Sequence, residues 1–191
     1  YLLAICGFVL LYSSLSTFLY FQQQHIVAAA YTDPGKRTAL FAAMDLVTNS
    51  LTLLLQLFVF SRLLKWWGLA AGLVLIPLLS VAGYLALAFD PVLSVLAVFG
   101  VARRAGEFAI AKPARETLFN ALSPAEKYKA KNFMDTAVYR FGDFASAWVF
   151  EGLKGLGLSG IALIAAAGAV LWALLGGWLV RAHARLEDNK P

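Results

Sequence analysis

Residues 68–89 read GLAAGLVLIPLLSVAGYLALAF, a run without a charged side chain. A helix needs about 20 predominantly apolar residues to cross a bilayer, so this stretch is long enough for one crossing. The rest of the chain is written in the same style. Over 191 residues it is 61% hydrophobic and 14% charged, with a mean hydropathy of +0.73, which excludes a water-soluble globule. The length admits six spans with short connections and leaves no room for twelve or for a separate enzymatic domain. An all-α polytopic membrane protein is expected. One cysteine, Cys6, excludes an internal disulfide and a Cys-rich metal site. Tyr1 opens inside an apolar run with no charged flank before it, which reads as part of a longer chain.

Upstream of this run, residues 1–30 predict helix 1, closed by Tyr31-Thr32-Asp33-Pro34-Gly35, whose Pro-Gly pair cannot continue a helix. Residues 38–64 predict helix 2, and Ser61-Arg62-Leu63-Leu64-Lys65-Trp66-Trp67 a tight basic connection whose tryptophans suit a membrane interface. Downstream, Asp90-Pro91 reads as an N-cap with proline at the first position of helix 4. Lys112-Pro113 kinks or ends that helix before an amphipathic stretch over 114–122. Ser123-Pro124-Ala125-Glu126 is a capping box that starts helix 5, which runs to about Gly152. Helix 6 takes 158–180, and a polar tail comes after it.

Six crossings put both termini on one face, with the 2–3 and 4–5 connections. That face carries Arg62, Lys65, Lys127, Lys129, Lys131, Arg181, Arg185 and Lys190. The other carries Lys36, Arg37 and Lys154. The bias places both ends in the cytoplasm of a cell (inner) membrane.

Polarity then separates the helices. Helix 1 carries Ser13, Ser16, Thr17, Tyr20, Gln23 and Gln24 at three- and four-residue steps, hence on one face, and helix 2 carries Asp45, Thr48, Asn49, Thr52 and Gln56 likewise. Helix 3 is bare. Helix 4 bears Arg103, Arg104 and Glu107, helix 5 bears Lys131, Asn132, Asp135, Tyr139, Arg140 and Asp143, and helix 6 is bare again. A three-helix unit, being odd, must be succeeded by one of opposite orientation, the inverted-repeat construction of secondary transporters. The repeats would be 1–89 and 90–191, with helices 1, 2, 4 and 5 lining a cavity and 3 and 6 facing lipid. The arrangement resembles one six-helix half of the major facilitator superfamily. Helix-to-helix polar glue is the competing reading of the uncharged stripes.

Charges inside a span are costly and are paired or face water. Arg103 lies ~18 Å into helix 4 and Arg140 ~25 Å into helix 5, so both reach mid-depth. Spacing offers local pairs: Arg103 with Glu107, Lys131 with Asp135, Arg140 with Asp143. Arg104 has no acid on its own helix, which points to an anion from outside, because a guanidinium fork matches phosphate or carboxylate oxygens.

Residues 103–152, RRAGEFAIAKPARETLFNALSPAEKYKAKNFMDTAVYRFGDFASAWVFEG, resemble the ATP/ADP translocase family of nucleotide transporters. The resemblance rests on Lys112-Pro113-Ala114-Arg115-Glu116, on Lys127, Lys129 and Lys131, and on Asp135 with Arg140-Phe141-Gly142. It implies twelve helices of facilitator type, of which this chain is the C-terminal half, and exchange of ATP for ADP or carriage of another nucleotide. A missing N-terminal half or a second copy would complete the cavity.

The candidate substrate-binding residues are Gln23, Asp45, Asn49, Arg103, Arg104, Glu107, Lys131, Asp135, Arg140 and Asp143, with Tyr20, Tyr139 and Phe141 available to stack on a base. Lys112, Arg115, Glu116, Lys127 and Lys129 are expected at the cytoplasmic surface, latching a gate with Glu116 and Glu126 or touching anionic lipid. No phosphate-binding Gly-x-x-x-x-Gly-Lys-Ser/Thr is present. The serines lack a His and acid constellation, and His25 and His183 have no partner motif. No enzyme, cofactor, metal or nucleic-acid partner is expected. The alternatives are a proton-coupled facilitator for another solute, protonated at Glu107, Asp135 or Asp143, and a non-transporting membrane scaffold.

Overall fold

A computed structural model describes residues 1–122 and 124–188, and every regular element among them is a helix. Helix α1 spans Leu2–Ala30. Helix α2, Pro34–Leu54, is capped by Asp33, whose carboxylate accepts from the Lys36 N–H at 3.1 Å. Pro34 therefore starts a helix at its first turn, four residues earlier than the hydropathy boundary at 38, because its missing N–H costs nothing there.

A π-helical turn, Leu55–Val59, leads straight into α3, Phe60–Phe89. The predicted basic connection over 61–67 is helical. The break is one residue, Gly68, at φ 56° and ψ −145°, a conformation essentially closed to residues with a Cβ. Asp90 ends α3 instead of capping the next helix. Val92 is extended, and α4 begins after it, at Leu93–Gly106.

Pro113 does not end that helix either. A π turn, Glu107–Ala111, passes into α5, Lys112–Thr117, and a 3₁₀ turn, Leu118–Ala121. Such a π turn accommodates a helical irregularity without stopping the chain. Next come helix α6, Pro124–Phe133, a π turn Met134–Val138, and α7, Tyr139–Leu153. Ser123, the expected cap of α6, lies outside the described residues, as does Lys190. A 3₁₀ turn, Lys154–Leu156, precedes α8, Gly157–Asp188, whose first residue, Gly157, lies at φ 70°. Helix 6, expected over 158–180, thus continues through the polar tail to 188.

Three continuous helical stretches, Leu2–Ala30, Pro34–Phe89 and Glu126–Leu186, are long and apolar enough to cross a membrane. Helix α3 makes its most extensive contacts with α8, while α1 packs on α7 and α8, and α2 on α4. Trp172, Tyr84, Leu73, Ile76 and Leu179 are fully buried in this core, so the two helices lacking charges in their apolar stretches bury their inner faces on each other. Small residues permit the close approaches usual between membrane helices. A Cβ on Gly72 would stand 1.9 Å from that of Ala114, and one on Gly83 2.0 Å from the Phe99 ring. Helix α2 is peripheral: Leu46, Val47, Leu53 and Leu54 are exposed, and only Met44 and Thr48 of this helix are buried.

Candidate functional site: a charged cleft between helices

The polar faces of α1, α2 and α4 meet at a cleft of about 400 Å³ whose walls include Gln23, Asp45, Arg103, Arg104 and Glu107. A second, of about 390 Å³, lies between α5 and α7 and takes in Asp135 and Arg140 together with Lys112, Arg115 and Glu116. Tyr12, Glu107 and Phe108 belong to both walls, so the two clefts adjoin. Tyr20 borders the first, Tyr139 the second.

Arg103 sits at the back of this space, 3% exposed. Its Nε donates to Ser80 Oγ at 3.2 Å and its Nη2 to Ser16 Oγ at 2.9 Å, bonds that reach α3 and α1. Its guanidinium carbon lies 5.7 Å from the centroid of the Tyr12 ring and 6.0 Å from that of Trp172. Arg115 approaches the same Tyr12 ring at 5.3 Å. Two guanidinium groups thus share one aromatic ring within cation–π range.

None of the three predicted local pairs is the ion pair formed. Glu107 meets Arg115, Oε1 to Nη1 at 3.6 Å. The π turn explains the choice: it inserts one residue, so a partner eight positions on falls where the seventh would lie on a regular helix, about two full turns away and on the same face. Glu107 is 4% exposed and its Oε2 has no hydrogen-bond partner. Lys131 meets Glu116 at 2.5 Å rather than Asp135. Asp143 accepts from Ser13 and Thr17 of α1 rather than pairing with Arg140. Arg104, which lacks an acid on its own helix, finds Asp45 on α2 at 2.6 Å, and both side chains remain about half exposed.

Lys112 and Arg115, expected at the surface, therefore wall the cleft, and Glu116 does so while holding Lys131. Lys127 donates to Asn120 at 2.8 Å. Neither it nor Lys129, Lys131, Asn49 or Asp143 lines either cleft, and Phe141 projects away, 64% exposed. Sequence alone does not single out Tyr12, because one tyrosine in an apolar helix looks like packing. Only the three-dimensional convergence of two arginines on it marks it. Among the described residues no three His, Cys, Asp or Glu side chains gather as a metal site would require. No family model, curated protein or solved structure matches this chain.

Proposed function

We propose that the chain is one six-helix half of a secondary transporter for organic anions of the nucleotide type, built as two inverted three-helix repeats and working by alternating access. The observation that carries this reading is the buried charge around Tyr12. Arg103 and Arg115 bring two positive charges against one ring, and Glu107 is the single buried carboxylate beside them. Unbalanced buried charge is costly, and a transported anion entering the cleft supplies the balance. Phosphate and carboxylate oxygens suit the guanidinium fork. In the adjoining wall Lys112 and Arg140 offer further cationic contacts to a polyphosphate, alongside the acids Glu116 and Asp135, with Tyr20 and Tyr139 placed at the borders for a base.

The six crossings run 2–30, 34–67, 69–89, 93–121, 124–153 and 157–188, divided where Gly68 and Gly157 break the longer helices. With lysine and arginine concentrated at one set of turns, both ends of this segment face the cytoplasm of the cell membrane. Phe141, Phe144 and Trp148 stand exposed along α7, a flank that a second six-helix unit covers, whether an N-terminal half or another copy. The motif resemblance to the ATP/ADP translocase family favours exchange of one nucleotide for another. No hydrolysis motif is present, so the driving force is a gradient.

The test is exchange in reconstituted vesicles. Labelled nucleotide should enter only when unlabelled nucleotide is inside, and other nucleotides should compete for it. Absence of both uptake and competition in folded protein sinks the proposal. A scaffold predicts in addition that Arg104→Ala and Arg140→Ala are silent and that no nucleotide raises thermal stability.

A further inference from the structure

Glu107 belongs to the walls of both clefts and, with Tyr12 and Phe108, marks their junction. Its side chain is 4% exposed. Oε1 stands 3.6 Å from Arg115 Nη1, an ion pair longer than a hydrogen bond, and Oε2 is buried with no hydrogen-bond partner among the described residues. The arginines of the first cleft are committed elsewhere: Arg103 gives Nε to Ser80 and Nη2 to Ser16, and Arg104 meets Asp45. Buried polar atoms are as a rule hydrogen-bonded, and a charged one left unanswered is costly.

What completes Oε2 follows from its chemistry. A carboxylate accepts and does not donate, so its partner brings a hydrogen. The ionised oxygens of a phosphate bring none; they go to guanidinium and ammonium groups. Lys112, Arg115 and Arg140 stand together on one side of the junction, in the wall of the second cleft, where Lys131 from outside the wall holds Glu116. On the other side Tyr20, Gln23 and Gln24 wall the first cleft. A ring face stacks on a base, and amides bond to its edge. A nucleotide laid across the junction, phosphates among the cations and base beside Tyr20, brings its sugar to Glu107. The donors a sugar offers are its hydroxyls.

We propose that Glu107 reads the sugar of the bound nucleotide: Oε2 accepts from a ribose hydroxyl at the junction of the clefts, so the site selects ribonucleotides over analogues lacking those hydroxyls. The inference rests on the nucleotide reading of the clefts. Carboxylates hold ribose hydroxyls in the same way in dinucleotide-binding folds. A site built to bond a hydroxyl rejects the analogue without it far more strongly than an apolar pocket rejects a missing methylene, because its own buried polar atom is then left alone. Glu107 thus has a role that the arginines around Tyr12 do not supply. They attract any anion of suitable charge, and the carboxylate among them, which weakens that attraction, sorts the anions by their hydroxyls.

The test is titration of the protein in lipid vesicles with ATP and with its 2′,3′-dideoxy analogue. Wild type should bind the analogue about 10- to 100-fold more weakly, the value of a hydrogen bond to a charged group. Glu107→Gln should bind both nucleotides more tightly, since a negative charge leaves the wall, yet discriminate between them less, since a neutral bond is weaker. Glu107→Asp keeps the charge and withdraws the oxygen by one methylene, so discrimination should fall without the general tightening. The ratio of the two affinities is what a purely structural carboxylate would not move, because loss of folded protein lowers both alike. Equal wild-type affinities overturn the sugar contact and leave the nucleotide reading standing, and so does a wild-type ratio retained in both variants. The wild-type comparison decides this even where a variant does not fold. Ribose 5-phosphate bound more tightly than its 2-deoxy analogue, with neither nucleotide bound, keeps the hydroxyl contact and defeats the nucleotide reading. Silence toward all four ligands overturns both.

Discussion

Gly176 of α8 packs on the Leu73 carbonyl of α3, so closely that a Cβ on the glycine would stand 2.2 Å from the carbonyl oxygen. That carbonyl is the one a regular helix would bond to residue 77, and residue 77 is Pro77, which has no N–H. The proline frees the acceptor, and the glycine lets the neighbouring backbone come up to it, where Cα–H contacts of this kind help hold membrane helices together.

Gly176→Ala should therefore destabilise the protein by about 1–3 kcal/mol, the usual range for overpacking. Gly177 next to it has nothing within 4 Å of a Cβ. Gly177→Ala should be neutral or stabilising by up to about 1 kcal/mol, through helix propensity alone. Thermal unfolding in detergent should separate the two neighbours. Equal melting temperatures would mean that the close approach of α8 to α3 contributes nothing to stability.

Gly68 breaks the helix between residues 60–67 and 69–89 at φ 56°, and a Cβ there would have nothing within 4 Å. Gly68→Ala meets no clash, so its cost is backbone strain, of order 1–3 kcal/mol. The expected signature is lowered thermal stability without loss of nucleotide binding, since Gly68 lines neither cleft. An unchanged melting temperature would mean the break tolerates a side chain.

The helical class and the grouping of polar helices are legible in the sequence because hydropathy and the three- to four-residue period act over whole turns. Helix boundaries are less so: Asp90 looks like a cap from its neighbour Pro91, yet Val92 takes the extended conformation. The ion pairs depart from their spacing for a different reason. Pairing by four-residue steps assumes an unbroken α-helix, and π turns at Glu107–Ala111 and Met134–Val138 rotate the helix at Glu107 and Asp135. Glu107 consequently meets Arg115, while Asp143, in the regular helix α7, is taken by the hydroxyls of α1. The polar stripe of α2 points Asp45 at the cavity, but its union with Arg104 joins residues 59 positions apart, which no local pattern encodes.

That union yields a pair of opposite effects. Arg104 and Asp45 are 46% and 54% exposed, so their ion pair contributes under about 1 kcal/mol to stability. Both melting temperatures should stay near wild type in Arg104→Ala and Asp45→Asn. Nucleotide affinity should fall in the first and rise in the second, by up to about fivefold each at low salt. Titration calorimetry at two salt concentrations checks the direction, and changes of the same sign would exclude the pair from the binding surface.

Tyr12 offers the sharpest separation of packing from charge, because two guanidinium groups, at 5.7 and 5.3 Å, depend on one ring. Tyr12→Phe keeps the ring and should bind nucleotide within about 1 kcal/mol of wild type, that being the scale of a modest cation–π difference. Tyr12→Ala removes it. Arg103 retains Ser16 and Ser80, whereas Arg115 keeps only the longer contact to Glu107 among its ion pairs and should swing away from its place in the wall of the second cleft. Truncating a partly buried aromatic costs up to about 3–5 kcal/mol of stability, so affinity must be read on the folded fraction. Tyr12→Leu, which fills the space without a π face, resolves the ambiguity. If the ring positions the arginines, Leu should restore much of the stability lost in Ala but not the affinity. Recovery of both would make Tyr12 a packing residue and leave anion binding to the arginines alone.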